Sequence, residues 1–261
     1  MGSMWKNDAE LFALAREKLF VALVGDVLDT MGCQHQFLSP QLKPIQNQMV
    51  IIGRAMPVLE ANFFADTMHG RASISSRPFG LMFEALDDLK KDEVYVCAGA
   101  SHRYALWGGL MSTRAMMCGA AGAVVHGYHR DSSEIEHLRF PVASFGSYAQ
   151  DQGPRGKVVD WRVPIEVDGV RVNNGDVVFG DRDGVLVVPA DKVDEAFAGA
   201  FEKARGENEV LKALQGGMPT VEAFEKFGGL FAEAPATDQT QGPESEGDCE
   251  ALRFVLKSRL V

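Results

Sequence analysis

Apolar positions along this chain follow two different periods, and the change from one to the other divides the sequence. Phe20, Leu23, Val24, Val27, Leu28 and Met31 recur at the spacing of one helical face, with Gly32 as the stop. A weaker helical pattern over 9–19 precedes them, and a run at 49–52 reads as a strand closed by Gly53. Helix and strand then alternate. Residues 81–90 predict a helix, 93–97 a strand, 108–118 a helix, and 122–125 and 141–145 two further strands. That rhythm indicates an α/β core. Beyond it the pattern turns to short strands. Asp168-Gly169 between 163–167 and 170–172 is a hairpin signal, and a turn at 181–184 separates 177–179 from 185–188. Helices over 191–214 and 220–227 close the pattern. With no linker between the halves, the prediction is one mixed α/β domain with a β-rich second half and C-terminal helices.

Composition changes this picture at the ends. The chain has 261 residues, 26 basic and 36 acidic, for a net charge of −10. Between 232 and 250 there are six acids and no Lys or Arg, so the remainder carries only −4. The tail from 232 to 261 has the composition of disorder, apart from an apolar and basic end at 251–261. Residues 1–7 read as an expression scar and the N-terminal end. An acidic chain without a basic stripe excludes a nucleic-acid partner, and no apolar run has the length of a bilayer span. Cys33, Cys97, Cys118 and Cys249 are widely spaced, which predicts free thiols and a cytoplasmic setting.

The densest polar chemistry is His126-Gly127-Tyr128-His129-Arg130-Asp131, just past the strand predicted at 122–125. In open α/β folds ligands gather beyond the carboxyl ends of strands. There Asp131 offers a hard oxygen to Mg2+ or Mn2+, and Arg130 offers a planar fork to a carboxylate; a surface ion pair is the plainer reading. Gly108-Gly109 opens a helix and leaves N–H groups for an anion. His126 and His129 lack a third ligand for zinc nearby. His69 and His102 stand alone in loop-like sequence. Neither GxSxG nor GxGxxG is present, and no Lys lies near Arg130-Asp131 to form a Schiff base.

Several segments in order resemble the RraA-like family, which includes class II 4-hydroxy-4-methyl-2-oxoglutarate and 4-carboxy-4-hydroxy-2-oxoadipate aldolases. They are 22–29 with Gly32, 52–55, Trp107-Gly108-Gly109-Leu110, 119–125 with Gly127, Arg130-Asp131, 172–176 and 181–189. The resemblance implies a swivelling β/β/α-type domain over 8–231, assembled as a homotrimer or hexamer with sites between subunits. It implies that Asp131 binds Mg2+ (or Mn2+), and that Arg130 with the amides around Gly109, Leu110 and Met111 holds the carboxylate of a small 2-oxo acid. It also implies an acid from a neighbouring subunit's C-terminal helix, for which Glu207 is the candidate. The chain departs from the family pattern at Gly109, where the aldolases carry an acid. Oxaloacetate decarboxylation needs only an electron sink, whereas retro-aldol cleavage also needs a base, so Gly109 favours the former. Two other readings stand beside this lyase: a non-catalytic regulator that binds a protein, and a sugar-acid or hydroxy-acid lyase or dehydratase using the same metal site.

Overall fold

Period-two burial sorts the strand side chains onto two faces of one sheet, and each face carries its own layer. The computed structural model describes residues 4–63 and 73–227. The chain opens with α1 (Asp8–Lys18) and α2 (Val21–Thr30), followed by β1 (Lys43–Pro44) and β2 (Ile51–Asn62). Next come α3 (Met82–Asp87), β3 (Glu93–Ala98), β4 (Ala105–Trp107) and α4 (Gly109–Met117). They lead into β5 (Gly122–Val125), β6 (Tyr128–His129), α5 (Ser132–Leu138) and β7 (Val142–Ser144). The second half contributes β8 (Gly156–Trp161), β9 (Ile165–Val167), β10 (Val170–Val172), β11 (Val177–Gly180) and β12 (Val185–Val188). It ends on α6 (Val193–Gln215) and α7 (Thr220–Phe227).

The main sheet has the order β1-β7-β5-β3-β2-β11-β12. Its centre, β7 to β2, is parallel, and β1, β11 and β12 are antiparallel to their neighbours. β2 is long enough to take two antiparallel partners on one edge, β11 along 51–54 and β8 along 58–62. On β3, Val94, Val96 and Ala98 pack with the β9–β10 hairpin, while Tyr95 and Cys97 pack with α3, α4 and α5. Helices α1, α2 and α6 cover Ile52, Val177, Phe179, Leu186 and Val188. The result is a hairpin layer, a sheet and a helix layer, the mixed α/β arrangement the sequence predicts. Among the described residues no helix is long and apolar enough to cross a membrane. The segments 1–3 and 232–261, with His69 and Cys249, lie outside the described residues.

Four strands escape the periodicity. β1, β4 and β6 are too short to show a period, and β8 begins at Gly156 and mixes buried with exposed positions. The strand expected to stop at Gly53 instead runs through it to Asn62. Gly53 has another purpose. A Cβ there would overlap the Asp92 carbonyl oxygen, the acceptor of the Arg54 N–H at 3.0 Å, and would lie 3.0 Å from the Ala121 Cβ. Gly53→Ala is therefore expected to cost about 1–3 kcal/mol through overpacking, read as a lower urea midpoint. An unchanged midpoint would mean that the turn before β3 moves aside freely.

Candidate active site

The site begins with a small sheet of its own. β4 and β6 pair in parallel, Ala105 opposite Tyr128 and Trp107 opposite His129. The Arg130 N–H continues this pairing and donates to the Trp107 carbonyl at 2.9 Å. The chain ends that leave the two strands, Gly108-Gly109 and Arg130-Asp131, are thereby set side by side. The corner between β4 and α4 is locked from below: the Trp107 indole N–H donates to Ser112 Oγ at 2.7 Å, and that hydroxyl donates to the Gly108 carbonyl at 3.1 Å.

Asp131 adopts the left-handed conformation (φ 58°, ψ 39°) at the N-cap of α5. This conformation costs a side-chain-bearing residue about 1 kcal/mol, and Asp tolerates it better than most. The twist turns its carboxylate back toward α4, where Oδ2 accepts from the Gly109 N–H at 3.1 Å. Gly108 makes the room, since a Cβ there would lie 2.8 Å from the same oxygen. Leu110 and Met111, the next residues of α4, have N–H groups without an intrahelical acceptor. Arg130 lies half-exposed between two acids, with Nη1 donating to Asp151 at 2.7 Å and Nε 3.6 Å from Asp131. Two hollows meet at this pair. An open cleft of about 540 Å3 is bordered by Ser132, Ser147 and Tyr148, and an apolar one of about 190 Å3 by Phe79, Phe83, Leu110 and Met111.

The donor set suits one hard cation held through a single carboxylate. Asp131 Oδ1 makes no hydrogen bond or ion pair among the described residues. Those residues contain no cluster of three or more His, Cys, Asp or Glu able to hold a metal. A cation here would therefore keep waters and take its other ligands from a substrate, the habit of Mg2+.

The structure brings Arg130, Asp131, Gly109, Leu110 and Met111 together. Glu207 is elsewhere in the same chain. It lies on α6 and pairs with Lys203 at 3.6 Å, and no hydrogen bond or ion pair joins it to Arg130 or Asp131. The histidines have other work. Both ring nitrogens of His129 are bonded to hydroxyls, Ser144 at 2.7 Å and Ser132 at 2.8 Å, and burial lowers its pKa. His126 bonds Asp168 at 2.9 Å in an aromatic cluster with His102 and Phe145. Burial, followed by the neighbouring His126, lowers the His102 pKa. Asp151 is the site residue that sequence reading missed. It lies in a Gly- and Pro-punctuated loop with no spacing relation to Arg130, and only the fold discloses the pair.

Comparisons with known proteins bear on the family and the fold. The family model described as RraA-like, aldolase/RraA, matches residues 21–187. The protein DlpA of Legionella pneumophila is 28% identical over 207 residues, 79% of this chain and 32% of that protein. The chain thus spans about a third of this relative's length. A putative 4-hydroxy-4-methyl-2-oxoglutarate aldolase of Burkholderia multivorans is 31% identical over 150 residues, 58% of this chain and 82% of that one. Among solved structures, Streptomyces coelicolor RraAS2, an unusual member of the RNase ES inhibitor RraA protein family, superposes with a TM-score of 0.66 at 23% identity. It covers 78% of this chain and 97% of its own, a likeness of fold.

Behind the site lies a buried acid. Gln152, which borders the apolar hollow, donates to Glu60 Oε2 at 2.5 Å. Glu60 Oε1, Gln152 Oε1 and the Tyr95 hydroxyl are buried without a partner among the described residues. Burial raises the Glu60 pKa from its ordinary 4.5 to about 8, against the opposing effect of the Gln152 hydrogen bond. The unfolded chain ionises this carboxyl from about 4.5 upward, while the folded chain keeps the proton until about 8. Stability from this group is thus complete below the first value and is lost as pH rises through the second. Glu60→Gln should flatten that alkaline decline in urea midpoints measured from pH 4 to 9. Parallel profiles for the two proteins would show that Glu60 does not titrate this way.

Proposed function

The chain belongs to the RraA-like family, and from that premise we propose that it is a divalent-metal-dependent carbon–carbon lyase acting on a small 2-oxo acid. The observation that carries the reading is the adjacency of Arg130, Asp131 and the open amide end of α4 around one pair of hollows. Asp131 would hold Mg2+ or Mn2+. The bound cation supplies positive charge against the negative charge that develops on the 2-oxo oxygen as the bond breaks. The protein's own part is orientation. The Arg130 fork matches a carboxylate bidentately, and Asp151 braces the guanidinium from its other side. The Leu110 and Met111 amides present the positive end of α4 to an anionic oxygen.

The apolar hollow accommodates the hydrocarbon part of the substrate and keeps water from the reacting carbon. It is open on one side, where Phe83 is 60% and Leu110 is 82% exposed. A second copy of the chain, in a trimer or hexamer, would cover that side. Glu207 could then serve a neighbour's site rather than its own.

With Mg2+, the protein should speed CO2 loss from oxaloacetate above the Mg2+ blank, and EDTA should abolish the gain. Asp131→Asn should lower kcat by about a hundredfold or more, through loss of the cation. Arg130→Lys keeps the charge but not the fork, and should raise KM about tenfold. Equal rates for wild type and Asp131→Asn would sink the lyase reading at this site. A protein inert toward oxaloacetate, hydroxy acids and aldonic acids would leave the protein-binding role as its function.

A further inference from the structure

The loop that carries Asp151 enters the core at one point. Of residues 147–155 only Gln152 is buried, and it meets the equally buried Glu60 of β2. The rest of the loop is fastened around it. The Gln152 carbonyl accepts from the Arg155 N–H at 2.7 Å and the Gly156 N–H at 2.9 Å. The Gln150 carbonyl accepts from the Ala105 N–H of β4 at 2.8 Å. Asp151 in turn accepts from the Gly153 N–H at 3.0 Å and from Arg130 at 2.7 Å. The seat of Gln152 thus lies one residue from the carboxylate that braces the guanidinium.

The contact between Gln152 and Glu60 is only half satisfied as it stands. The amide N–H donates to Glu60 Oε2, yet Glu60 Oε1 and Gln152 Oε1 remain as two buried acceptors without a donor among the described residues. A carboxylate cannot relieve them, since it only accepts, whereas a carboxyl group can, through its O–H. An acid and a primary amide then close a ring of two hydrogen bonds, N–H to the carboxyl oxygen and O–H to the amide oxygen. The surroundings favour that neutral form. Tyr95 and Cys97 of β3 and Tyr104 are the titratable groups whose ionisation Glu60 opposes, and burial raises the pKa of each, Tyr104 to about 12. None of them offers a cation, and Lys157 of β8 gives its ammonium to the Arg77 carbonyl.

We propose that Glu60 is a positioning residue: protonated, it closes an acid–amide pair with Gln152 that seats the loop and holds Asp151 against Arg130. The proposal rests on the lyase reading, in which Arg130 is the fork for the substrate carboxylate. When Glu60 loses its proton, a carboxylate oxygen faces the Gln152 amide oxygen. Both are acceptors, and the loop is pushed from its seat. Arg130 then loses its brace and holds the substrate less well, while Asp131 keeps its own bond to the Gly109 amide. Glu60 keeps its proton until pH rises through about 8, so the loss falls on the alkaline side and in KM more than in kcat.

The test follows oxaloacetate decarboxylation with Mg2+ from pH 6 to 9 in wild type, Glu60→Gln and Gln152→Met, beside the infrared carbonyl band of a neutral carboxyl group. Wild-type KM should rise about tenfold over the alkaline half, with kcat within about threefold. Glu60→Gln replaces the O–H donor with an N–H and keeps the ring of two hydrogen bonds, so its KM should stay flat. Gln152→Met fills similar space without an amide and should show the raised KM at every pH. In difference spectra of wild type against Glu60→Gln, the neutral-carboxyl band should be present at pH 7 and fade by pH 9. An alkaline KM rise that persists in Glu60→Gln overturns the positioning role while the lyase reading stands. A missing band at pH 7 means that Glu60 is ionised and the pair does not form, which overturns the proposal whatever the kinetics. A wild type inert on oxaloacetate overturns the lyase reading and the positioning role with it.

Discussion

The hydrogen bond from the Arg130 N–H to the Trp107 carbonyl is the constraint on which the site depends. It extends the pairing of β4 with β6, two strands of three and two residues. Neither is stable alone, since so short a pair buries too little to fix its backbone. They persist because each is tethered to something larger. Trp107 is buried against Tyr95 and Phe140, His129 is clamped by Ser144 of β7 and Ser132 of α5, and Tyr128 packs against Phe145. The core thus sets the register of the small sheet. The small sheet in turn places the start of α4 against Asp131. His129, which the sequence leaves without a third ligand for zinc, is part of this clamp.

Charge at the site is settled locally. A chain carrying −10 is an unpromising collector of anions, yet Arg130 is the cation shared by the two hollows, flanked by Asp131 and Asp151. Two carboxylates beside one guanidinium leave a local excess of negative charge, which favours a divalent cation before an anionic substrate. A divalent cation at Asp131, as proposed, would reverse the balance, and a substrate carboxylate would then meet a positive corner completed by the α4 amides. Exposed charges farther from the site than a Debye length are screened and contribute little.

How much of this could be read from the sequence depends on length and repetition. α2, α6 and the β9–β10 hairpin are legible because apolar residues such as Leu23, Val24 and Leu28 repeat a period several times, or because Asp168-Gly169 encodes its own turn. Arg130 and Asp131 were legible through their place in an ordered set of motifs, and Gly109 through its departure from that set. β4 and β6 were not, because two or three residues cannot display a period. Asp151 and Glu134 were not either. Their positions come from a loop that reaches Arg130 and a helix turn that folds over α4, contacts that only the fold sets. Gly53 misled for a related reason: a glycine that ends a strand and one that admits a neighbouring carbonyl look alike until the neighbour is in place.

Gly108 and Gly109 bring these strands of the argument to one point. Neither is a hinge or a turn in the left-handed region; Gly108 is extended, at φ −155°. Each is small because a carboxylate occupies the space where its Cβ would be, Asp131 at the first and Glu134 at the second. Consecutive glycines at the head of a helix thus admit two acids from the facing segment, one on the α5 cap and one on its first turn. A side chain at 109 would displace the second acid and leave the first, since the Asp131 carboxylate is bonded to the backbone amide of 109 and not to its side chain. The two carboxylates are therefore separable by substitution. The backbone amide of 109 thus fixes one acid whatever side chain that position carries, while the space above it decides where the other can lie.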